Sequence, residues 1–293
     1  MTSFLRTTSV LATAVLPAVL AAQSAATTPV RLAMRATVGD APFACGRSYA
    51  SIGKASSTIQ ATEFKFYVHD VQLTTRDGRT VPVTLTQDGL WQNGSVALLD
   101  FEDGSGACSN GNADIHDVIE GTVPAGEYTG VRFTLGVPFD RNHLDLTAQP
   151  SPLSLTRMFW AWNSGYKFLR LDLKPEGAQN WVVHLGSTEC TPTGSATTIP
   201  TACRWANRAT VSLDGFNPMQ DAIRFDVAAL LQAADVSTNQ PKTAAGCMSG
   251  QSDGDCVAVF DALGLPFGTS KGGTQRVFGV ARGALAAPDG TGR

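Results

Sequence analysis

Charge is scarce in this chain. Of its 293 residues only 16% are Asp, Glu, Lys or Arg, and the formal net charge is −3. A chain without a basic face has no footprint for a polyanion, so a nucleic-acid partner is excluded. Histidine is scarcer still, with four in all: His69, His116, His143 and His184. No two stand at i, i+2 or i+4 and no HExxH occurs, so there is no metalloprotease helix. The cysteines show no CxxC spacing, which argues against a thiolate zinc site. No nucleophile–base pair and no close carboxylate pair stands out, and Glu102-Asp103 reads as a solvated loop. Beyond the N-terminus no apolar run approaches the roughly 20 residues that span a bilayer, so no stable membrane insertion is expected.

The N-terminus carries a targeting signal. Arg6 precedes an apolar run, VLATAVLPAVLAA at residues 10–22, followed by small residues. Residues 1–26 therefore read as a secretory signal peptide, cleaved within 21–26, and the destination is the periplasm or the medium. Export makes disulfides the default for an even set of six cysteines. The expected pairs are Cys190–Cys203 and Cys247–Cys256, which close short loops rich in small and polar residues, and Cys45–Cys108. Each such crosslink typically adds ~2–4 kcal/mol by restricting the unfolded chain.

Period-two alternation runs through the rest. Phe64, Phe66 and Val68 share one face of residues 63–74, and Tyr67, His69, Val71 and Leu73 share the other. Similar patterns occupy residues 131–135, 169–173, 181–185, 211–213 and 223–227. Asp77-Gly78, Asp88-Gly89, Asn93-Gly94 and Asp214-Gly215 mark turns between them. One helix is expected at 226–234, DVAALLQAA, starting near Asp226. The fold class is therefore all-β: a β-sandwich of mainly antiparallel strands with long disulfide-stapled loops. Residues 27–280 form a single domain on this reading and 281–293 a flexible tail.

Residues 157–172, RMFWAWNSGYKFLRLD, concentrate two of the five tryptophans, Trp160 and Trp162. If this stretch is extended, Met158, Trp160 and Trp162 point one way. Aromatic residues on one strand face commonly fill the space between two sheets. Exposed indoles would instead suit a sugar face, which makes a cell-surface carbohydrate- or ligand-binding module the alternative function. A secreted hydrolase with an unrecognised site is a further competitor. His143, in the turn-like FDRNHLDL, and His184, on a strand, are placed to approach the WAW strand. His116 follows a Gly-rich loop, and His69 lies on an early strand.

MFWAWNSGYKFLRLD, with GVPFDRNHLD upstream and VVHLGSTEC downstream, resembles the MbnP-type copper proteins, also called metallo-mystery pair four-Cys-motif proteins. EYTGVRFTLGVP and GCMSGQSDGDCVAVFDALGL extend the likeness over about residues 29 to 267. The resemblance implies a partner, a MauG-like dihaem cytochrome c peroxidase, that oxidises the first Trp of WxW to kynurenine. That Trp is Trp160 here. It also implies one bound copper, held as Cu(I), in copper homeostasis, by a protein that is not itself an enzyme. The chemistry is coherent. An indole nitrogen only donates a proton, whereas kynurenine presents an aniline nitrogen with a lone pair, and imidazole and thioether donors suit Cu(I). The ligand set this implies is modified Trp160 with His143 and His184, then His116 and Met158, with His69 fitting least. Trp162 would sit beside the site as a packing wall or an electron relay. The family's name counts four cysteines, so Cys45 and Cys108 read as the added pair.

Overall fold

One strand, Ser57–Thr75, organises the molecule. The computed structural model describes residues 26–109, 111–161, 164–191 and 199–285. The signal peptide expected over 1–26 lies outside them except for Ala26. Among the described residues no helix is long and apolar enough to cross a membrane.

Residues that bridge two partners define the edges of the long strand. Phe66 pairs with Leu169 on one side and Leu99 on the other, and Val68 pairs with Leu135 and Ala97. One edge therefore holds Leu169–Pro175 and then Tyr128–Leu135, both antiparallel. The opposite edge holds Ser48–Ile52, Val96–Asp100 and Thr80–Pro82 in turn. Trp181–Leu185 extends the sheet beyond Leu169–Pro175, and Ala209–Asp214 extends it beyond Tyr128–Leu135. The second sheet centres on Thr27–Val38, antiparallel to Val118–Pro124 and parallel to Ala222–Asp226. Antiparallel pairing dominates, as the alternation implied.

The core between the sheets is aromatic. Phe64 and Phe66 meet Phe225 of the second sheet with ring centroids 4.9 and 5.2 Å apart, and Phe278 sits 5.2 Å from Phe133. Such pairs contribute ~0.5–1.5 kcal/mol each beyond the area they bury. Their even-numbered spacing sends Lys65 and Tyr67 to the other face. The alternation does not survive past His69. Asp70 takes a left-handed φ of 52° and the register slips between Arg132 and Thr134. Leu73 consequently lines the cleft between the sheets beside Val30 and Val123, on the opposite side from Tyr67, not on a shared face.

All three disulfides pair as the sequence suggested: Cys45–Cys108, Cys190–Cys203 and Cys247–Cys256. The helix expected at 226–234 shortens to Val227–Leu231, and a second, Cys256–Ala262, had no distinct signal in its sequence. Ala281 to Leu285, read as the start of a loose tail, are instead held in place. Ala281 pairs with Ala222, Gly283 N–H donates to Asp221 at 2.9 Å, and Leu285 N–H donates to the Gln220 carbonyl.

Asp226 ties the sheets to the first helix. Its Oδ1 accepts from Ala228 N–H at 2.9 Å and Ala229 N–H at 3.3 Å, and from Gly39 N–H at 2.9 Å. Asp226→Ala strands three donors and should cost about 1–2 kcal/mol in urea unfolding with an unchanged m-value. A loss within ±0.3 kcal/mol would show that the cap contributes little.

Candidate metal centre

The chain leaves the large sheet after Leu135 and returns at Leu169, and both ends of the excursion hang on one residue. Gly136 N–H donates to the Tyr67 carbonyl and Tyr67 N–H donates to the Phe168 carbonyl, each at 2.8 Å. The Tyr67 side chain then supports what lies between. Its hydroxyl donates to the Pro152 carbonyl at 2.8 Å, and its ring meets Tyr166 edge-on at 5.8 Å. The described residues of 137–167 thus form a cover over the face of the sheet that carries Glu63, Lys65 and Tyr67.

Trp160 lies in this cover. Among the described residues of 157–164, Phe159–Ala161 is extended, pairing with Gly165–Tyr166 in a small hairpin. Met158 ends a 3-10 turn, Thr156–Met158, so it does not line up with Trp160 along one strand face. Met158 is wholly buried and Trp160 half-buried. Trp162 lies outside the described residues. Two glycines let the hairpin sit. A Cβ at Gly165 would lie 2.4 Å from Asn142 Nδ2, and one at Gly186 would lie 2.4 Å from Trp160 Cζ3. Trp160 therefore rests its six-membered ring on Gly186, which is poor geometry for an open sugar platform.

His184 stands two residues before Gly186, near the end of the Trp181–Leu185 strand. Its Nε2 lies 2.6 Å from Asp172 Oδ1, and its Nδ1 is buried without a hydrogen-bond partner among the described residues. Arg170 holds Asp172 from the other side with two contacts of 2.6 and 3.0 Å. Burial lowers the His184 pKa, against the pull of Asp172, so the ring is neutral near pH 7. Asp172 is raised by burial, but its bonds to His184 and Arg170 outweigh this and hold it below the usual carboxylate range. A neutral imidazole that gives Nε2–H to a carboxylate offers a lone pair at Nδ1, the arrangement common around metal-bound histidines.

His143 follows the short Phe139–Asn142 helix and is buried. Asn142 Oδ1 accepts from Tyr166 N–H at 3.0 Å, which fixes the amide so that Nδ2 donates to His143 Nε2 at 3.0 Å. Cys203 Sγ lies 3.4 Å from the same nitrogen. His143, Cys190 and Cys203 group within 4.8 Å, but the two sulfurs are joined to each other and are not thiolates. His116 is committed elsewhere: its Nδ1 lies 2.6 Å from the Leu98 carbonyl, and its ring stacks on Trp91 at 5.0 Å. His69 has Nδ1 2.9 Å from Asp70 and a buried Nε2 without a hydrogen-bond partner among the described residues, so it is better placed to act as a donor than its sequence context implied.

Beneath the cover runs a chain of buried charges that the sequence did not reveal. Lys65 Nζ meets Glu63, Asp100 and Glu102 at 3.0, 3.1 and 3.1 Å. Glu63 meets Arg170 at 3.3 Å, and Arg170 leads through Asp172 to His184. Glu102 is 0% exposed, which corrects its reading as a solvated loop residue. Burial pushes Asp100 up to about 6 and raises Glu63, in both cases against the attraction of Lys65. Burial alone would lower Lys65, but Asp100 and Glu63 together raise it. A cavity of about 340 Å³ separates Lys65, Asp100 and Glu102 from Met158, Arg157 and Trp91.

The family model named MbnP matches residues 27–249. The chain belongs to the MbnP family. Among solved structures, MbnP from Methylosinus trichosporium is similar over 88% of this chain and 100% of its own, with 29% identity and a TM-score of 0.78. No curated protein matches. This MbnP-family fold sets the Trp160 ring against Gly186, two residues after the Asp172-bound His184. It holds His143 by the same hairpin and leaves His116 against Trp91. The chain of buried charges has a faint sequence signature: Glu63/Lys65 and Arg170/Asp172 are charges two apart that alternate with apolar Phe64 and Leu171, hence each pair shares a face.

Asp100 binds its proton more tightly when folded. Its stabilising contribution is complete below about pH 4 and is lost as pH rises through 6. The stability of the unmutated chain minus that of Asp100→Asn should therefore fall by up to roughly 3 kcal/mol between about pH 4 and pH 7. Denaturant titrations at several pH values measure this, and a flat or rising difference would refute the assignment.

Proposed function

We propose that this MbnP-family chain is an exported carrier that holds one Cu(I) ion, with an amine derived from Trp160 and the imidazole of His184 as its principal donors. The observation that carries the reading is their juxtaposition. The Trp160 ring rests on Gly186, two residues from a neutral His184 whose buried Nδ1 has no hydrogen-bond partner among the described residues. Membership of the MbnP family supports a copper-related, periplasmic role.

Trp160 as encoded is no ligand, because its nitrogen lone pair belongs to the ring. Cleaving the indole C2–C3 bond adds one oxygen to each carbon, a four-electron oxidation. Two peroxide equivalents, used by a dihaem peroxidase partner, supply both oxygens and leave as two waters. Hydrolysis then removes C2 as formate and leaves an aniline nitrogen able to donate. Asp172 keeps the His184 proton on Nε2, so Nδ1 meets the cargo as a lone pair. His143 is the second imidazole, and recruiting its Nε2 requires Asn142 to release it. Met158, two residues before Trp160 in the chain, is a further candidate donor through its thioether, and soft sulfur and nitrogen donors favour Cu(I) over Mg²⁺ or Ca²⁺. His116, pinned by Leu98 and Trp91, contributes least. On this reading the chain is a carrier in copper homeostasis and the substrate of its partner, not a catalyst.

The test is to produce the protein with and without its haem partner, map the peptide spanning 158–167 by mass, and measure bound copper. Oxidation confined to Trp160 together with one copper per chain is expected, with copper lost in Trp160→Phe and in His184→Ala. Equal copper binding by protein with an unaltered Trp160 would overturn the proposal.

A further inference from the structure

Two buried residues with side chains adopt left-handed backbone, Asn207 at φ 51° and Ser249 at φ 66°. Such conformations cost ~1–3 kcal/mol each outside glycine, less for Asn, and persist only where surrounding structure enforces them. Both side chains serve one short stretch of backbone. Ser249 Oγ accepts from Gly186 N–H and donates to the His184 carbonyl, each at 3.0 Å. Asn207 Nδ2 donates to the Gly186 carbonyl at 2.8 Å. One residue later, Ser187 Oγ donates to the Ala206 carbonyl at 2.9 Å. Residues 184–187 are thus gripped from two separate segments, the one before Ala209–Asp214 and the one after Gly246–Cys247.

What rests on this stretch is Trp160. A Cβ at position 186 would lie 2.4 Å from Trp160 Cζ3, 2.9 Å from Cη2 and 2.7 Å from the Tyr166 carbonyl oxygen. Gly186 is not in the left-handed region, so the position calls for the absence of a side chain and not for backbone freedom. Cζ3 and Cη2 belong to the six-membered ring, the half of the indole that ring opening leaves intact.

We propose that residues 184–186 form a rigid floor that fixes the six-membered ring of Trp160 relative to His184, with Gly186, Ser249 and Asn207 as positioning residues. The inference rests on the copper reading above and explains how two donors created at different times come to match. The oxidation already described breaks bonds only in the five-membered ring. The surviving ring, seated on Gly186, keeps its place, and the amine emerges at a distance from His184 that the folded backbone has already set.

Two measurements test the floor. The first is an unfolding cycle on copper-free, unoxidised protein, combining Gly186→Ala with Trp160→Phe. The clash with Tyr166 persists in both backgrounds and cancels, so the alanine should cost clearly more when Trp160 is present. The second is Cu(I) affinity of partner-oxidised protein, measured by competition with a chromogenic chelator. Gly186→Ala should weaken it roughly 10–100-fold although no ligand is removed. Ser249→Ala, which adds no volume, should weaken it in the same direction and stands in if Gly186→Ala fails to fold. Additive unfolding energies with unchanged affinity would overturn the floor. Unmutated protein that carries no oxidised Trp160 would instead overturn the copper reading, and the unfolding cycle would still decide the floor.

Discussion

A strand buried on both faces constrains everything else in this molecule. Ser57–Thr75 gives one side to the aromatic core, through Phe64 and Phe66, and on the other carries Glu63, Lys65 and Tyr67, all 6% exposed or less. Charges in that position must be paired and hydrogen-bonded, or burial neutralises them. The pairing is supplied laterally by Asp100, Glu102 and Arg170, and the covering by the described residues of 137–167, anchored at Tyr67. The candidate metal centre is a product of that covering. Trp160 and His143 arrive with the cover, His184 belongs to the sheet beneath, and Gly186 is where the two surfaces touch.

The charge ladder also sets the orientation of the imidazole, which burial keeps neutral. Four carboxylates, Glu63, Asp100, Glu102 and Asp172, face two cations, Lys65 and Arg170. The excess negative charge is relieved where Asp100 holds its proton up to about pH 6. Asp172, gripped by Arg170, stays ionised and orients His184. Replacing such a network with apolar side chains can be neutral or stabilising in general, so stability alone does not account for it here. Its chemical consequence is an oriented histidine at one end.

The sheet architecture was largely legible in the sequence, because half-buried strands must alternate and their turns must contain Gly, Asn or Asp. Leu169–Pro175 and Trp181–Leu185 are strands where the alternation placed them. The alternation misled where it was locally broken. Left-handed Asp70 moved Val71 and Leu73 to the other register, and the turn at Thr156–Met158 separated Met158 from Trp160. The family resemblance singled out Trp160, His143 and His184. The roles of Asp172, Gly186, Ser249 and Asn207 depend on contacts between segments distant in the chain, and no local pattern encodes them. Glu102 looked solvated because Asp103 and Gly104 follow it, while its buried partner is Lys65, far upstream.

The most direct measurement is a crystal structure of copper-loaded protein taken from its natural host, with anomalous data collected at the copper edge. The account expects one copper peak bonded to His184 Nδ1 and to an opened ring at position 160 whose six carbons still lie on Gly186. An intact indole at that position, or copper bound away from His184, would contradict it.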